Sequence, residues 1–206
     1  MSCAGRAGGS GGGDPGVSAP DPATTYGAHA NPDLLARIPL DARAVLDIGC
    51  GAGALGAAFR KRNPATRLIG IEPDAQLRAF AATHLDEVHG TDIETTPPPV
   101  APGSLDAMIF GDVLEHLRDP WAVLARDIGL LSERGVLLVC IPNVEHWSFL
   151  ARLLAGQWRY EKMGLFDATH LRWFTRATFR AALQGAGYVP LEVAPRIFQR
   201  DRAQAF

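Results

Sequence analysis

From residue 31 to residue 194 the chain alternates short apolar runs with amphipathic stretches. "NPDLLARIP" opens on the Asn-Pro signal of a short helix, with Leu34, Leu35 and Ile38 on one face. "AVLDIG" (44–49) reads as a central strand, "GALGAAFRKR" (53–62) as a helix, and "RLIGIEP" (67–73) as a strand stopped by Pro73. "DAQLRAFAATHL" (74–85) is a helix with Asp74 as its N-cap, and "EVHGTD" (87–92) a third strand. A polar, proline-rich connection (94–103) leads to a fourth strand, "LDAMIFGD" (105–112). "PWAVLARDIGLL" (120–131) is a helix with proline in its first turn, and "GVLLVCIP" (135–142) a fifth, wholly apolar strand. Thr175 caps a last helix, "RATFRAALQGAG", and "YVPLEVA" (188–194) follows as a sixth strand.

Short apolar strands that alternate with helices predict an α/β fold, a doubly wound, mostly parallel sheet covered on both faces. Such sheets bind ligands at the carboxyl ends of their strands, near the topological switch point. The loop 49–53 would lie there. The segment 143–174 breaks the alternation and holds seven of the chain's sixteen aromatics: Trp147, Phe149, Trp158, Tyr160, Phe166, Trp173 and Phe174. It is expected to cap the site, either by lining a pocket or through a small core of its own. Residues 1–23, rich in glycine and proline, are expected to be a disordered tail, 24–196 the folded domain and 197–206 a C-terminal tail.

Composition narrows the partners. A formal net charge of −2, with 20% charged residues, gives no electrostatic reason to expect nucleic acid or an anionic membrane surface. No apolar run approaches the roughly 18–20 residues of a membrane span. Cys3, Cys50 and Cys140 form neither a C-x-x-C pair nor a zinc spacing, which suits a reducing compartment. With no secretory h-region at the start, the expected location is cytoplasmic.

The chemistry concentrates in "VLDIGCGAGALG" (45–56). Gly51, Gly53 and Gly56 satisfy the dinucleotide pattern G-x-G-x-x-G, yet the run also reads D-x-G-x-G-x-G from Asp47. A carboxylate two residues before the first glycine is awkward for a pyrophosphate and well suited to the ammonium of an amino acid. S-adenosylmethionine carries such an ammonium. Glu72, ending the second strand, can bind both hydroxyls of a ribose, a feature that serves either nucleotide.

"VLDIGCGAGALG", "IGIEPD", "GTDIE" and "LDAMIFGDVLEHLRDP" together resemble, in order and spacing, four motifs of the class I S-adenosylmethionine-dependent methyltransferases. The last is similar to the fourth-strand motif of the branch that includes ubiquinone-biosynthesis O-methyltransferases. The resemblance covers roughly residues 40–190 and implies a Rossmann-like fold with S-adenosyl-L-methionine as cofactor. It further implies that Gly49, Gly51 and Gly53 contact the methionine part, organised by Asp47. Glu72 would hold the ribose, Asp92 the adenine amino group with Ile93 against the ring, and Gly111 and Asp112 the far wall. Asp92 could instead be a helix cap. Tyr26 could close over the methionine end or simply pack.

Methyl transfer from a sulfonium to a hydroxyl needs alignment and a base or a metal. Asp112, Glu115 and His116 fall within "DVLEH", on one face if that turn is helical, and "FDATHLRWF" adds His170. His116 and His170 are the candidate catalytic residues. With Glu115 and Asp112 they resemble the E-x-x-E-H plus distant histidine that holds a divalent metal in small-RNA 2′-O-methyltransferases, with Asp112 a shorter arm than the usual Glu. The alternative is that "LEH" packs the strand–helix junction. Asn143, His146, Trp147 and Arg172 are candidate substrate contacts, although an arginine such as Arg172 equally forms a structural pair.

The expected activity is methyl transfer to an oxygen of a small molecule, such as a sugar, quinol or secondary metabolite. The alternative is a MetW-like protein, resembled through "IPNVEHW", that keeps the fold and serves a partner enzyme. An RNA-end methyltransferase would need a basic stripe that the chain lacks. The family sheet usually ends in a seventh, antiparallel strand, for which "PRIFQRDRAQAF" is short and poorly patterned. The exposed edge this leaves would invite pairing with a second copy, a homodimer.

Overall fold

The computed structural model describes residues 30–195, so the expectations for the tails and for Tyr26 lie outside the described residues. Five strands form one parallel sheet: β1 (Ala44–Ile48), β2 (Arg67–Ile71), β3 (Glu87–His89), β4 (Leu105–Gly111) and β5 (Leu131–Cys140). Their order is β3-β2-β1-β4-β5, so the chain reverses its direction of winding between β3 and β4. Register is set by pairs such as Leu46–Ile69 and Leu46–Met108, which put the apolar centre of each strand level with its neighbours.

Because side chains alternate across a strand, the sheet feeds two cores. On one face Val45, Leu68, Ala107 and Ile109 pack with Leu34 of α1 (Pro32–Arg37), Phe59 of α2 (Ala54–Arg60) and Ala81 of α3 (Ala75–Ala81). On the other, Leu46, Ile48, Ile69, Ile71, Met108 and Phe110 pack with Val123 and Leu124 of α4 (Pro120–Asp127). Phe179 and Leu183 join that second core. The cap contributes α5 (Trp147–Leu154), and α6 (Arg176–Gly185) is fixed at its start by a Thr175–Thr178 capping box. No helix of the described residues is long and apolar enough to cross a membrane.

Two sequence expectations are corrected. The helix expected over 120–131 ends at Asp127; a single 3-10 turn over Ile128–Leu130, containing the weak helix former Gly129, leads into β5 four residues early. The register jumps from Leu105–Leu131 to Ala107–Val136, so the polar residues between form an irregularity in the strand. The sixth strand is absent: 188–194 joins no sheet. Tyr188 turns inward, its hydroxyl donating to the Leu124 carbonyl at 3.0 Å, while Val189, Leu191 and Val193 are exposed. Pro190 also lacks the N–H that a ladder would use. Among the described residues β5 therefore has a strand partner on one side only.

The turn after β1 combines left-handed backbone with close packing. Gly49 has φ +70°, and a Cβ added there would lie 2.4 Å from Val113 Cγ2. Gly103 also has a positive φ, +67°, but no atom within 4 Å of an added Cβ. Gly49→Ala is therefore expected to lose about 2–4 kcal/mol, from left-handed strain plus overpacking, against about 1–2 kcal/mol for Gly103→Ala. Urea unfolding of the two variants measures the difference; equal losses would remove the contact with Val113 as a constraint.

Candidate active site

The carboxyl ends of β1, β2 and β4 converge on this turn. Gly49, Gly51 and Gly53 all adopt left-handed backbone, with φ +70°, +55° and +81°. The amides of Gly49 and Cys50 donate to the Ile71 carbonyl at 2.8 and 3.1 Å, which ties the loop to the end of β2. One residue beyond β2, Glu72 accepts from the Gly51 amide through Oε2 and from the Asp74 amide through Oε1, each at 2.9 Å. A single carboxylate thus joins the glycine loop to the start of α3.

Asp47 is buried in β1 just before the loop. Burial, and secondarily the charge of Glu72, pushes its carboxyl up to about 7. No ion pair with a basic side chain is formed by Asp47 or Glu72 among the described residues. The Arg78 guanidinium donates to the backbone carbonyls of Glu72 and Pro73 rather than to either carboxylate, so two buried acids with no ion pair favour a positively charged ligand over a pyrophosphate.

The remaining positions expected to touch a nucleotide follow β3 and β4. Asp92, in the loop after β3, accepts from the Glu94 amide at 2.9 Å, and its carbonyl accepts from the Thr96 amide, so it organises a turn. Ile93 is buried in the second core with Ile71 and Leu117. Gly111 ends β4. Asp112 follows at φ +57°, the one described non-glycine residue with positive φ, its amide donating to the Cys140 carbonyl. A left-handed aspartate at a strand end is costly backbone held in place by its surroundings.

Val113, against Gly49, leads into a 3-10 turn over Leu114–His116. This turn is too short to bring Asp112, Glu115 and His116 onto one helical face. Instead, the Glu115 carbonyl accepts from the amides of Leu171 and Arg172 at 2.8 and 3.0 Å, which stitches the far segment onto the turn. His170 is thereby placed edge-on to His116, with ring centroids 4.8 Å apart, and its Nε2 lies 4.0 Å from Glu115 Oε1. One ligand atom from each of Glu115, His116 and His170 falls within 4.8 Å of the others. Asp112 is not in that group, a correction to the four-residue set expected from the sequence.

Glu115 is almost wholly buried, and among the described residues neither of its oxygens has a partner with full hydrogen-bond geometry; His170 Nδ1 is buried in the same condition. Burial, with smaller contributions from the charges of Asp112 and Asp167, raises the Glu115 carboxyl to about 8. Burial, and then the charge of His116, lowers His170 below the ordinary imidazole range. Unsatisfied buried polar atoms of this kind call for a partner. Two imidazoles and a carboxylate fit a divalent ion with open positions, and equally suit proton transfer.

The candidate substrate contacts are largely occupied. Asn143 accepts from the Glu145 amide, and His146 caps α5 by accepting from the Ser148 amide. Arg172 donates to the carbonyls of Arg118 and Leu171, and its guanidinium lies over the Trp121 ring. Trp147 is 73% exposed. Phe149 and Phe166 are buried and stacked at 5.1 Å, with the more exposed Trp158 edge-on to both and Trp173 edge-on to Trp158. Sequence reasoning missed Thr169, whose hydroxyl lies 3.0 Å from His116 Nδ1, and Asp167, whose Oδ1 accepts from that hydroxyl at 2.6 Å. The D-x-T-H string around His170 was their only signal.

The family model of the methyltransferase domain matches residues 24–193. The chain is 33% identical over 159 residues to a ubiquinone biosynthesis O-methyltransferase of Rhodopseudomonas palustris (strain BisB5), covering 75% of this chain and 61% of that protein. It is 32% identical over 137 residues to trans-aconitate 2-methyltransferase of Escherichia coli O139:H28, covering 64% of this chain and 53% of that one. The chain thus spans between about half and three-fifths of the length of these curated relatives. A solved SAM-dependent methyltransferase from Thermotoga maritima shares the fold, with a TM-score of 0.59 at 20% identity, covering 78% of this chain and 72% of that one.

Asp47 keeps its proton in the fold up to about pH 7, whereas an unfolded aspartate releases it near 3.9. Between those values the folded chain binds more protons, so its stability is expected to fall as pH rises from about 4 to about 7. Glu115 adds a slope of the same sign up to about pH 8. Asp47→Asn should therefore melt with a shallower pH dependence than the parent between pH 5 and pH 7.5. An identical slope would contradict the burial argument for Asp47.

Proposed function

The chain belongs to the methyltransferase domain family, and from that premise we propose that it binds S-adenosylmethionine at the carboxyl ends of β1, β2 and β4 and methylates an oxygen of a small-molecule acceptor. The observation that carries this reading is the pair of buried acids, Asp47 and Glu72, beside a left-handed glycine loop, neither carboxylate ion-paired among the described residues. When bound, S-adenosylmethionine supplies the methyl group together with its sulfonium leaving group. The chain's residues then have to orient the acceptor, exclude water and take one proton.

Asp47 faces the ammonium in this reading, and its ionised form is favoured by that charge. Glu72 keeps lone pairs for ribose hydroxyls while its two amide bonds hold the loop. Asp92 and Ile93 take the adenine side, and Gly111 and Asp112 the opposite wall. His116, carried on the turn that Val113 packs against Gly49, is the base, with His170 beside it. Alignment contributes up to about 7–11 kcal/mol in well-oriented systems, and a positioned base a further factor of roughly 10²–10⁴. Glu115, His116 and His170 are the residues that would hold a divalent ion, which would supply Lewis acidity toward the acceptor hydroxyl. Oxygen as the acceptor atom is supported by the relative named for O-methylation, and is an analogy.

A second reading, cofactor binding in the service of a partner enzyme, is favoured by the exposed apolar face of α5 at Trp147, Leu150 and Leu154. A homodimer would use the outer edge of β5. Both are decided by turnover and by solution mass.

Methyl-labelled S-adenosylmethionine, offered with a panel of quinols, phenols and sugars, is expected to yield an O-methylated product. His116→Ala should lower turnover roughly 100-fold or more while leaving cofactor affinity intact. Turnover lost to a chelator and restored by magnesium would assign the metal role to Glu115, His116 and His170. Turnover indifferent to the chelator would leave His116 as base alone. Cofactor binding without any product would favour the partner-protein reading.

A further inference from the structure

We propose that Thr169 and Asp167 are positioning residues that hold His116 in the tautomer with hydrogen on Nδ1, so that Nε2 carries the lone pair. The hydrogens available around Nδ1 set the tautomer. His116 Nδ1 has two neighbours, the Thr169 carbonyl at 3.3 Å and the Thr169 hydroxyl at 3.0 Å. A carbonyl can only accept. The hydroxyl has one hydrogen, and Asp167 Oδ1 lies 2.6 Å from its oxygen, a short distance typical of a hydroxyl donating to a carboxylate.

Asp167 is buried and also accepts from the Thr169 amide at 2.8 Å. Its Oδ1 accepts from both that amide and the Thr169 hydroxyl, bonds that favour the ordinary ionised form of an aspartate. An ionised carboxylate has no hydrogen to give, so the threonine hydrogen is spent on Asp167. Thr169 Oγ1 then presents only lone pairs to the imidazole. Both neighbours of Nδ1 are acceptors, and the ring nitrogen between them must donate. The exposed Thr169 hydroxyl would otherwise rotate and donate to water or to Nδ1 itself; its bond to the buried Asp167 prevents this.

The relay deepens the reading of His116 as base or metal ligand, and rests on that reading only for its catalytic consequence. Either role requires an unprotonated Nε2. The same segment therefore does two things: its backbone brings His170 to the site, and the side chains just before His170 orient His116.

Nitrogen NMR of the full chain labelled with ¹⁵N-histidine tests this at alkaline pH, with the His116 signals assigned by their loss in His116→Gln. The parent should show a protonated Nδ1 and a bare Nε2. Thr169→Val should move His116 toward a mixture of tautomers, and Thr169→Ser should restore the parent ratio. With an acceptor in hand, Thr169→Val should lower kcat on the order of 10-fold with KM little changed. A parent His116 protonated on Nε2, or a folded Thr169→Val with an unchanged ratio, would overturn the proposal. The tautomer result stands apart from methyl transfer: the relay confirmed in a chain that never turns over would overturn only the reading of His116 as catalytic.

Discussion

A parallel sheet sends all its strands out at one edge, and the site of this chain depends on that constraint. The end of β1 supplies the glycine loop, the end of β2 supplies Glu72, and the end of β4 supplies the turn carrying Glu115 and His116. Because β1 lies between β2 and β4, these contributions are neighbours without any further device. Gly49 marks where the loop after β1 meets the turn after β4. It must be glycine both for its backbone and because Val113 occupies the space that a side chain would fill. The same contact fixes the distance between the loop that would hold a cofactor and the turn that would hold an acceptor.

The charge arrangement gives this edge its chemical preference. Sheets of this kind accommodate many ligands, so the fold alone selects none. Asp47 and Glu72 supply a preference: both are buried, and neither carboxylate forms an ion pair among the described residues, the Arg78 guanidinium donating to the backbone carbonyl of Glu72 instead. A cationic amino-acid ligand relieves the repulsion between them, and a pyrophosphate adds to it. Beside His116, Glu115 and His170 are likewise buried with polar atoms that find no partner among the described residues. Both halves of the site are incomplete as protein alone.

Much of this was legible in the sequence because it is encoded locally. The strands β1, β2 and β4 are continuous apolar runs, and the glycine spacing after β1 announces a turn that binds something. The acids at positions 47 and 72 stand where strand ends had to be. What escaped was set by contacts distant in sequence. "YVPLEVA" alternates like a strand, yet Tyr188 is drawn inward to α4, Pro190 offers no amide, and no neighbour pairs with it. The helix read through Leu131 ended early because those last apolar residues serve β5 and its core. The approach of His170 to His116 depends on the Glu115 carbonyl binding two amides more than fifty residues away, which no local pattern reports. Seven aromatics pointed to a cap, but only packing separated the buried Phe149 and Phe166, which stabilise it, from the exposed Trp147.

Calorimetric titration of the folded chain with S-adenosylhomocysteine, run beside an identical titration with NAD, addresses the central claim most directly. Micromolar binding of S-adenosylhomocysteine, about −8 kcal/mol, with no detectable heat from NAD, is the expected result. Binding of NAD in preference, or of neither, would contradict the assignment of the acid-lined glycine loop to an amino-acid nucleoside.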